Sequence, residues 1–448
     1  MTDTLPRVPA ASPSAPAPAA VPMEPPTPPS PAPAPTAAPS PATTSTPAAS
    51  PAAVRSAPPS PAHGGFAELD LLGAAGLLDQ HERARLADVH HLAQTLLRRQ
   101  SVDPWNREEF APDLLAVLAD AGLGALQLEG TSALFRGLVH AEVARADLSM
   151  STVLGVHNEL VVGVVDALGS PEQRRALLPR LAAMRSLGAF ALTEPEHGSD
   201  VARGLTTTAR RDGTDWVLDG AKRWIGLATV AEFAIVWARD VADGTVRAFV
   251  VGTDLPGFAA VPIRNKIGLR IMQNADVTLD GVRVPESSRL PGAVGFGAVN
   301  TVLRHSRAWV GWQAVGLQLA ALEVARSYVR ERQQFGRPLA GFQLVQQSLA
   351  RMAGNAASSL ALMVQVARLQ DAGTLEMAHA AMVKATCTAQ ARETVALGRN
   401  LLGGNGMTTD YEMAKLFGDA EAMYTYEGTQ EINQLIVGRA LTGVSAFV

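Results

Sequence analysis

The hydrophobic period of this chain changes twice, and that restricts its fold more than any other feature. Residues 71–184 read as helices, with Leu77, His81, Leu86, Val89, Leu92, Leu96 and Leu97 recurring mostly at three- and four-residue spacings. Pro112 suits the first turn of a further helix. Residues 132–146 and the apolar 148–168 form two more, and Ser170-Pro171-Glu172-Gln173 opens another with Ser170 as its cap. Between 187 and 285 the period shortens. Asp212-Gly213, Asp243-Gly244 and Asp280-Gly281 are turn signals, and the runs 216–225, 233–238, 246–251 and 277–284 are short and mostly β-rich. No helix-length insert separates them, which favours an antiparallel sheet or barrel over a parallel dinucleotide-binding sheet. From Gly295 the chain is helical again. The runs 298–333, 342–370 and 375–402 exceed the usual helix length, which suggests a bundle packed on another subunit.

Ahead of this order stands a segment of different composition. Twenty of the 30 prolines fall within the first 61 residues. Residues 1–64 are Pro-Ala-Ser-Thr, too poor in apolar area to offset the entropy of folding, and are expected to be a disordered tail or tether. The domains expected after it are helical over 65–186, β over 187–292 and a helical bundle over 293–448. The tail charges Asp3, Arg7, Glu24 and Arg55 cancel, so the net charge of −4 belongs to the remainder. A weakly acidic body argues against binding a nucleic-acid backbone. The single cysteine, Cys387, excludes an intrachain disulfide framework and any Cys-based zinc site. The longest uncharged run after the tail, 352–367, is short of a membrane span. The N-terminus lacks a signal-peptide layout, and Ala446-Phe447-Val448 does not read as a peroxisomal address; the expectation is a cytoplasmic protein.

Several chemistries find no motif. There is no Walker P-loop, no Gly-x-Ser-x-Gly elbow, and Gly403-Gly404-Asn405-Gly406 lacks dinucleotide-fingerprint spacing. His90 and His91 are adjacent, so on a helix they diverge by about 100° and cannot chelate one metal. No metal site is expected.

Four stretches carry the functional signal. They are 190–200 (FALTEPEHGSD), 222–226 (KRWIG), 330–336 (RERQQFG), and 402–406 (LGGNG) leading to 426–429 (YEGT). In this order and at these separations they resemble the acyl-CoA dehydrogenase flavoprotein family across essentially all of 67–448. The wording is closest to the glutaryl-CoA dehydrogenase branch and to the short-chain acyl-CoA oxidase of plant peroxisomes. For the latter, 265–270 (NKIGLR) with Gln273-Asn274 adds to 222–226 and 424–429. The resemblance implies an α+β fold with an N-terminal helical domain, a middle antiparallel β-barrel domain and a C-terminal four-helix bundle. It implies FAD as cofactor, an acyl-CoA substrate, and a homotetramer.

Desaturating an acyl thioester at its α,β bond breaks two C–H bonds, and no protein side chain accepts a hydride, so flavin N5 is the expected acceptor. The protein supplies a positioned base, donors to the thioester carbonyl, and a dry pocket. By the resemblance, Glu427 is the α-proton base and the backbone N–H beside it binds the thioester carbonyl. By spacing alone Glu427 reads as a helix-flanking acid favoured by the N-terminal dipole. Some relatives place the base immediately before the arginine matching Arg307; here that position is Ser306, which cannot serve. The resemblance also assigns Phe190, Leu192, Thr193, Ser199, Trp224, Ile225, Gly226 and Thr429 to the flavin. Ser199, Arg307, Tyr426 and Gly428 are assigned to the substrate. Gly226 departs from most relatives, which carry threonine there. Arg332, Phe335 and Gln343, with Asn400, Gly403 and Gly404, match residues that reach the cofactor's pyrophosphate and adenine side, the first three from a neighbouring subunit. Arginine's planar fork suits pyrophosphate. Glu431 stands where many relatives have glutamine, and the resemblance places it with the cofactor-binding residues.

The glutaryl branch pairs an arginine with the substrate's far carboxylate. Counting back from Gly169-Ser170, that position is Ser151, and the nearest arginine is Arg145. A short or branched monocarboxylic acyl-CoA is therefore expected over a dicarboxylyl one. Electron-transfer flavoprotein is the expected acceptor, with dioxygen the alternative.

Overall fold

The structure is a computed structural model and describes residues 69, 70 and 72–447. The expectation for residues 1–64 lies outside the described residues. The N-terminal helices include α1 (Gln80–Leu92), α2 (Pro112–Asp120), α3 (Ala133–Ala146) and α4 (Leu148–Gly155). After α4 the helix widens into a π-type stretch, Val156–Val162, and resumes as α5 (Gly163–Leu168) before α6 (Pro171–Ala182). Their starts follow local chemistry. Ser132 caps α3 and Asp147 caps α4. Ser170 and Gln173 form a reciprocal capping box at α6, with Pro171 at its first position. Leu148–Leu168 is long and apolar enough to cross a membrane by length and composition, but 89% of its apolar window lies inside the protein. It is a core helix.

The middle unit is a curled seven-stranded sheet of β1 (Gly188–Ala191), β2 (Thr208–Asp212), β3 (Asp215–Gly226), β4 (Phe233–Asp240), β5 (Val246–Gly252), β6 (Phe258–Pro262) and β7 (Asn274–Pro285). Most pairs are antiparallel; β1 and β2 each pair with β4 in parallel, which the β-rich spacing did not foretell. Asp212-Gly213 and Asp243-Gly244 turn the chain as expected. Asp280-Gly281 does not: it lies within β7, where two residues face the single Asp219 across a register shift, and the Gly281 N–H donates to the Asp219 carboxylate at 2.7 Å. The signal marks a β-bulge, which shares the turn's need for a left-handed residue.

The long helices α7 (Gly295–Glu331), α8 (Gln343–Asp371) and α9 (Met377–Leu402) form the bundle with α10 (Met413–Thr425) and α11 (Gln430–Thr442). Buried polar groups tie it to the other units. Asp419 on α10 accepts from the Trp105 indole at 2.9 Å and from the Leu269 backbone at 2.7 Å, while Lys415 meets Asp147 at 2.6 Å. Arg98 bridges Glu323 and Glu412.

Candidate active site

One large cleft, of about 1380 Å³, lies where the π-type helix, the sheet and the bundle meet. Ligand pockets usually span about 300–1,000 Å³, so this one has room for two sizeable ligands. Glu427 lines it, in the short connection between α10 and α11. Its backbone is left-handed (φ 54°), as is that of Gly428 (φ 84°). The positive φ favours glycine at 428, and a Cβ there would also sit close, at 3.3 Å, to the side-chain tips of Arg307 and Asn433. The connection is pinned from two sides. Lys384 on α9 donates to the carbonyls of Tyr424 and Gly428, both at 2.8 Å. Asn433 on α11 donates to those of Gly428 and Thr429 at 2.8 and 2.9 Å.

The Glu427 carboxylate accepts a hydrogen bond from Ser306 at 2.5 Å. Burial pushes its pKa above the ordinary carboxylate range, against the lowering effects of the Ser306 hydroxyl and the charges of Arg307 and Lys384. A carboxylate so placed is a stronger base than one in water. Ser306, which occupies the alternative base position, thus acts as a donor to the base.

Arg307 lines the cleft, and its guanidinium donates to the Leu303 carbonyl at 3.3 Å and the Met377 sulfur at 3.1 Å, leaving Nε without a partner. Tyr426 donates to Gln313 at 2.6 Å, and its ring stacks on Trp309 with centroids 6.4 Å apart. Gln313 in turn donates to Ser151 and Thr152. The wall formed by Thr152, Val156, Leu160, Leu192 and Trp309 carries no charge.

The sheet supplies Phe190, Trp224, Ile225 and Gly226 to the cleft lining, and the segment after β1 supplies Leu192, Thr193 and Ser199. Trp224 is not a buried sheet aromatic: 51% of it is exposed to the cleft, its φ is 63°, and the guanidinium of Arg223 lies 5.1 Å from its ring. A register shift between Lys222 and Ile225 against β7 re-aims it. A Cβ at Gly226 would fall 2.2 Å from the Met272 methyl, so a larger residue there would require the methionine tip to move aside. The segment after β1 is stapled by a buried ion pair. Lys222 contacts Glu194 at 2.9 Å and the Leu192 carbonyl at 3.1 Å, and Glu194 also accepts from Thr206 and Thr207. Burial works against the Glu194 charge, but Lys222 and the threonine donors outweigh it and hold its pKa at about 2. Thr429 lines the cleft and caps α11 by accepting from the Ile432 N–H at 3.3 Å.

A second group of expected residues does not line this cleft. Arg332, Phe335 and Gln343 lie exposed around the hairpin joining α7 to α8, with Phe335 92% exposed. Asn400, Gly403 and Gly404 lie exposed at the end of α9, where a Cβ on either glycine would meet nothing within 4 Å. Glu431 is exposed and also outside the cleft lining.

Sequence reasoning missed Lys384, Gln313, Met272 and Trp309, and gave Lys222 no role of its own. Lys384 left a trace: it shares a face of α9 with the buried Ala380, Ala381, Cys387, Thr388 and Ala391, where a lone lysine is out of place.

Family models for the N-terminal, middle and C-terminal domains of acyl-CoA dehydrogenase match residues 79–185, 189–282 and 293–442. The chain is 31% identical over 377 residues to the "Probable acyl-CoA dehydrogenase fadE25" of Mycobacterium leprae, covering 82% of this chain and 96% of the relative. Two structures of glutaryl-CoA dehydrogenase from Mycobacterium smegmatis, one of them in complex with FADH2, superpose with TM-scores of 0.80 and 0.81 at 38% and 35% identity. They cover 84% and 83% of this chain and 98% and 97% of their own. Butyryl-CoA dehydrogenase of Megasphaera elsdenii superposes at 0.77, with 27% identity, over 81% of this chain and 98% of its own. The chain belongs to the acyl-CoA dehydrogenase family of FAD-dependent oxidoreductases. FAD is its cofactor, and the cleft fits it: bare backbone at Gly226, an open aromatic face at Trp224, and volume left over for a second ligand.

Proposed function

We propose that this enzyme desaturates a short monocarboxylic acyl-CoA to the trans-2-enoyl-CoA, with Glu427 as the α-proton base and electron-transfer flavoprotein as the acceptor. The observation that carries the reading is Glu427 itself. It is a carboxylate facing a two-ligand cleft from a pinned left-handed turn, with its pKa raised by burial. Phe190, Leu192, Thr193, Trp224, Ile225, Gly226 and Thr429 would hold the flavin's ring end, and Arg307, Tyr426 and Gly428 would border the thioester. FAD, when bound, supplies the hydride acceptor that no side chain can provide. The chain's own contribution is to present the carboxylate, to exclude water with the Leu192, Val156, Leu160 and Trp309 wall, and to offer the backbone N–H at Glu427 to the thioester carbonyl. That donor acidifies the α-proton as the base takes it.

A dicarboxylyl substrate is disfavoured. Ser151 stands where the glutaryl branch has its arginine and donates to the His140 carbonyl at 3.1 Å. Arg145 is buried against Glu142 and Glu323, so it is committed elsewhere. A second carboxylate would enter the uncharged wall unpaired, at a large desolvation cost. The relatives named above are dehydrogenases, which supports a flavoprotein acceptor over dioxygen.

The exposure of Arg332, Phe335 and Gln343 outside this cleft supports a homotetramer in which these residues reach a neighbour's cofactor, and Asn400, Gly403 and Gly404 are likewise exposed for the same cofactor end. The test is anaerobic. Purified yellow enzyme is expected to bleach with a short acyl-CoA and to regain colour slowly in air. In Glu427→Gln, bleaching is expected to slow by at least about 10²-fold with FAD retained. Bleaching within a few-fold of the parent rate would place the base elsewhere, and fast peroxide formation in air would make the enzyme an oxidase.

A further inference from the structure

Lys384 is fully buried, yet its hydrogen bonds run to two carbonyl oxygens and not to a carboxylate. Dehydrating an ammonium is costly unless something nearby needs its charge. The two carbonyls belong to Tyr424, in the last turn of α10, and Gly428, in the connection to α11, so they flank Glu427 on either side. Resting on the reading of Glu427 as the base, we propose that Lys384 is a positioning residue. Its ammonium clamps both sides of the left-handed turn, aims the carboxylate into the cleft and keeps that carboxylate ionised.

The geometry separates this role from that of the neighbours. Asn433 holds only the Gly428 and Thr429 side of the turn and brings no charge. Ser306 touches the carboxylate but not the backbone that carries it. Lys384 alone of these three combines a grip on both sides of the turn with a positive charge. Burial lowers the Lys384 pKa to about 8, against the raising effects of Glu427 and Glu431, and Arg307 lowers it further. The side chain is therefore still cationic at neutral pH. The charged and titratable groups around the base are Arg307 on α7, Lys384 on α9 and the adjacent Tyr426 phenol, with the Ser306 hydroxyl in contact, while Glu431 on α11 acts on Lys384. Because Arg307 remains when Lys384 is neutralised, the effect on Glu427 is partial. During turnover the lysine keeps its protons, and the α-proton passes only to Glu427.

The deciding measurement needs no substrate. The Glu427 side-chain carboxyl is followed by 13C NMR in FAD-loaded enzyme, assigned by its loss in Glu427→Gln, and titrated in the parent and in Lys384→Met. Removing the cation is expected to raise the pH at which the carboxyl ionises by about half a unit or more, roughly a threefold change in its acidity constant. Lys384→Arg should move it less. Anaerobic flavin reduction should be slowed in Lys384→Met, and its acid limb should shift to higher pH in the same sense. An unchanged carboxyl titration in folded, flavin-loaded Lys384→Met overturns the proposal. Lys384→Gln serves if the methionine chain does not fold, and failure of both to fold or load assigns the lysine to the stability of the bundle, which also overturns it. Should no thioester reduce the parent flavin, the functional reading fails, while the carboxyl titration still decides what the lysine does.

Discussion

Glu427 ionises in surroundings that disfavour its charge, and this reaches beyond catalysis. Its folded pKa lies above the ordinary 4.5, so its contribution to stability is fully present below 4.5 and is lost as pH rises through the folded value. Glutamine at this position cannot ionise. Glu427→Gln is therefore expected to unfold at a higher temperature than the parent at pH 7 and to lose that advantage near pH 4, in thermal melts of flavin-loaded protein. Trp309 sets a second residue-level property. A Cβ on Gly155 would lie 2.0 Å from its indole, so the glycine lets the ring approach α4 closely at the uncharged wall. The bulk of that ring shortens the space left for an acyl chain. Trp309→Ala is expected to move the preferred thioester toward longer chains, each added methylene recovering about 0.8 kcal/mol of burial. The cavity should cost about 3–5 kcal/mol of stability. A panel of acyl-CoA thioesters scored by flavin reduction checks the first effect and denaturant titration the second.

Among the elements, β3 and the segment after β1 are joined by Lys222 and Glu194, whose pair is buried on both sides. The backbone they fix places Leu192 and Thr193 in the lining of the cleft. Removing one partner leaves the other charge unpaired, which typically costs about 3–5 kcal/mol. Lys222→Met is expected to lower FAD content as well as stability, read from the ratio of flavin to protein absorbance. The strand containing Lys222 was legible in the sequence as a β-rich run, and the capping box at Ser170 was legible down to its partners. The bulge at Asp280-Gly281 was not, because a bulge and a turn need the same left-handed residue and differ only in what lies across the ladder. The two parallel pairings of β4 were hidden for a related reason: pairing direction depends on where the chain returns, which no local run of residues records. Of the site, the ordered motifs pointed to Glu427 and to the sheet face, whereas Lys384 and Gln313 come from helices whose turns read as ordinary core.

Across the whole molecule, the helical units and the sheet share buried polar nodes rather than a purely apolar seam. Asp419 alone receives the Trp105 indole and the Leu269 backbone N–H, and it lies 3.7 Å from the Lys415 ammonium. Such nodes were invisible in the sequence because each joins residues far apart in it, and the spacing of charges along one helix says nothing of a partner on another. The three walls of the cleft are therefore fixed relative to one another, which is what a reaction requiring alignment of two ligands demands. Arg332, Phe335, Gln343, Asn400, Gly403 and Gly404 are exposed and do not line that cleft. In the proposed homotetramer, where they would serve a neighbour, each catalytic centre would be compiled from two polypeptides. Arg332→Ala is then expected to lose flavin and activity, and co-expressed with Glu427→Gln it should regain activity, since a mixed assembly would contain some centres that inherit no defect. Dilution should strip flavin from the parent as a function of protein concentration, so that vitamin supply and subunit supply become a single requirement for the cell that makes it.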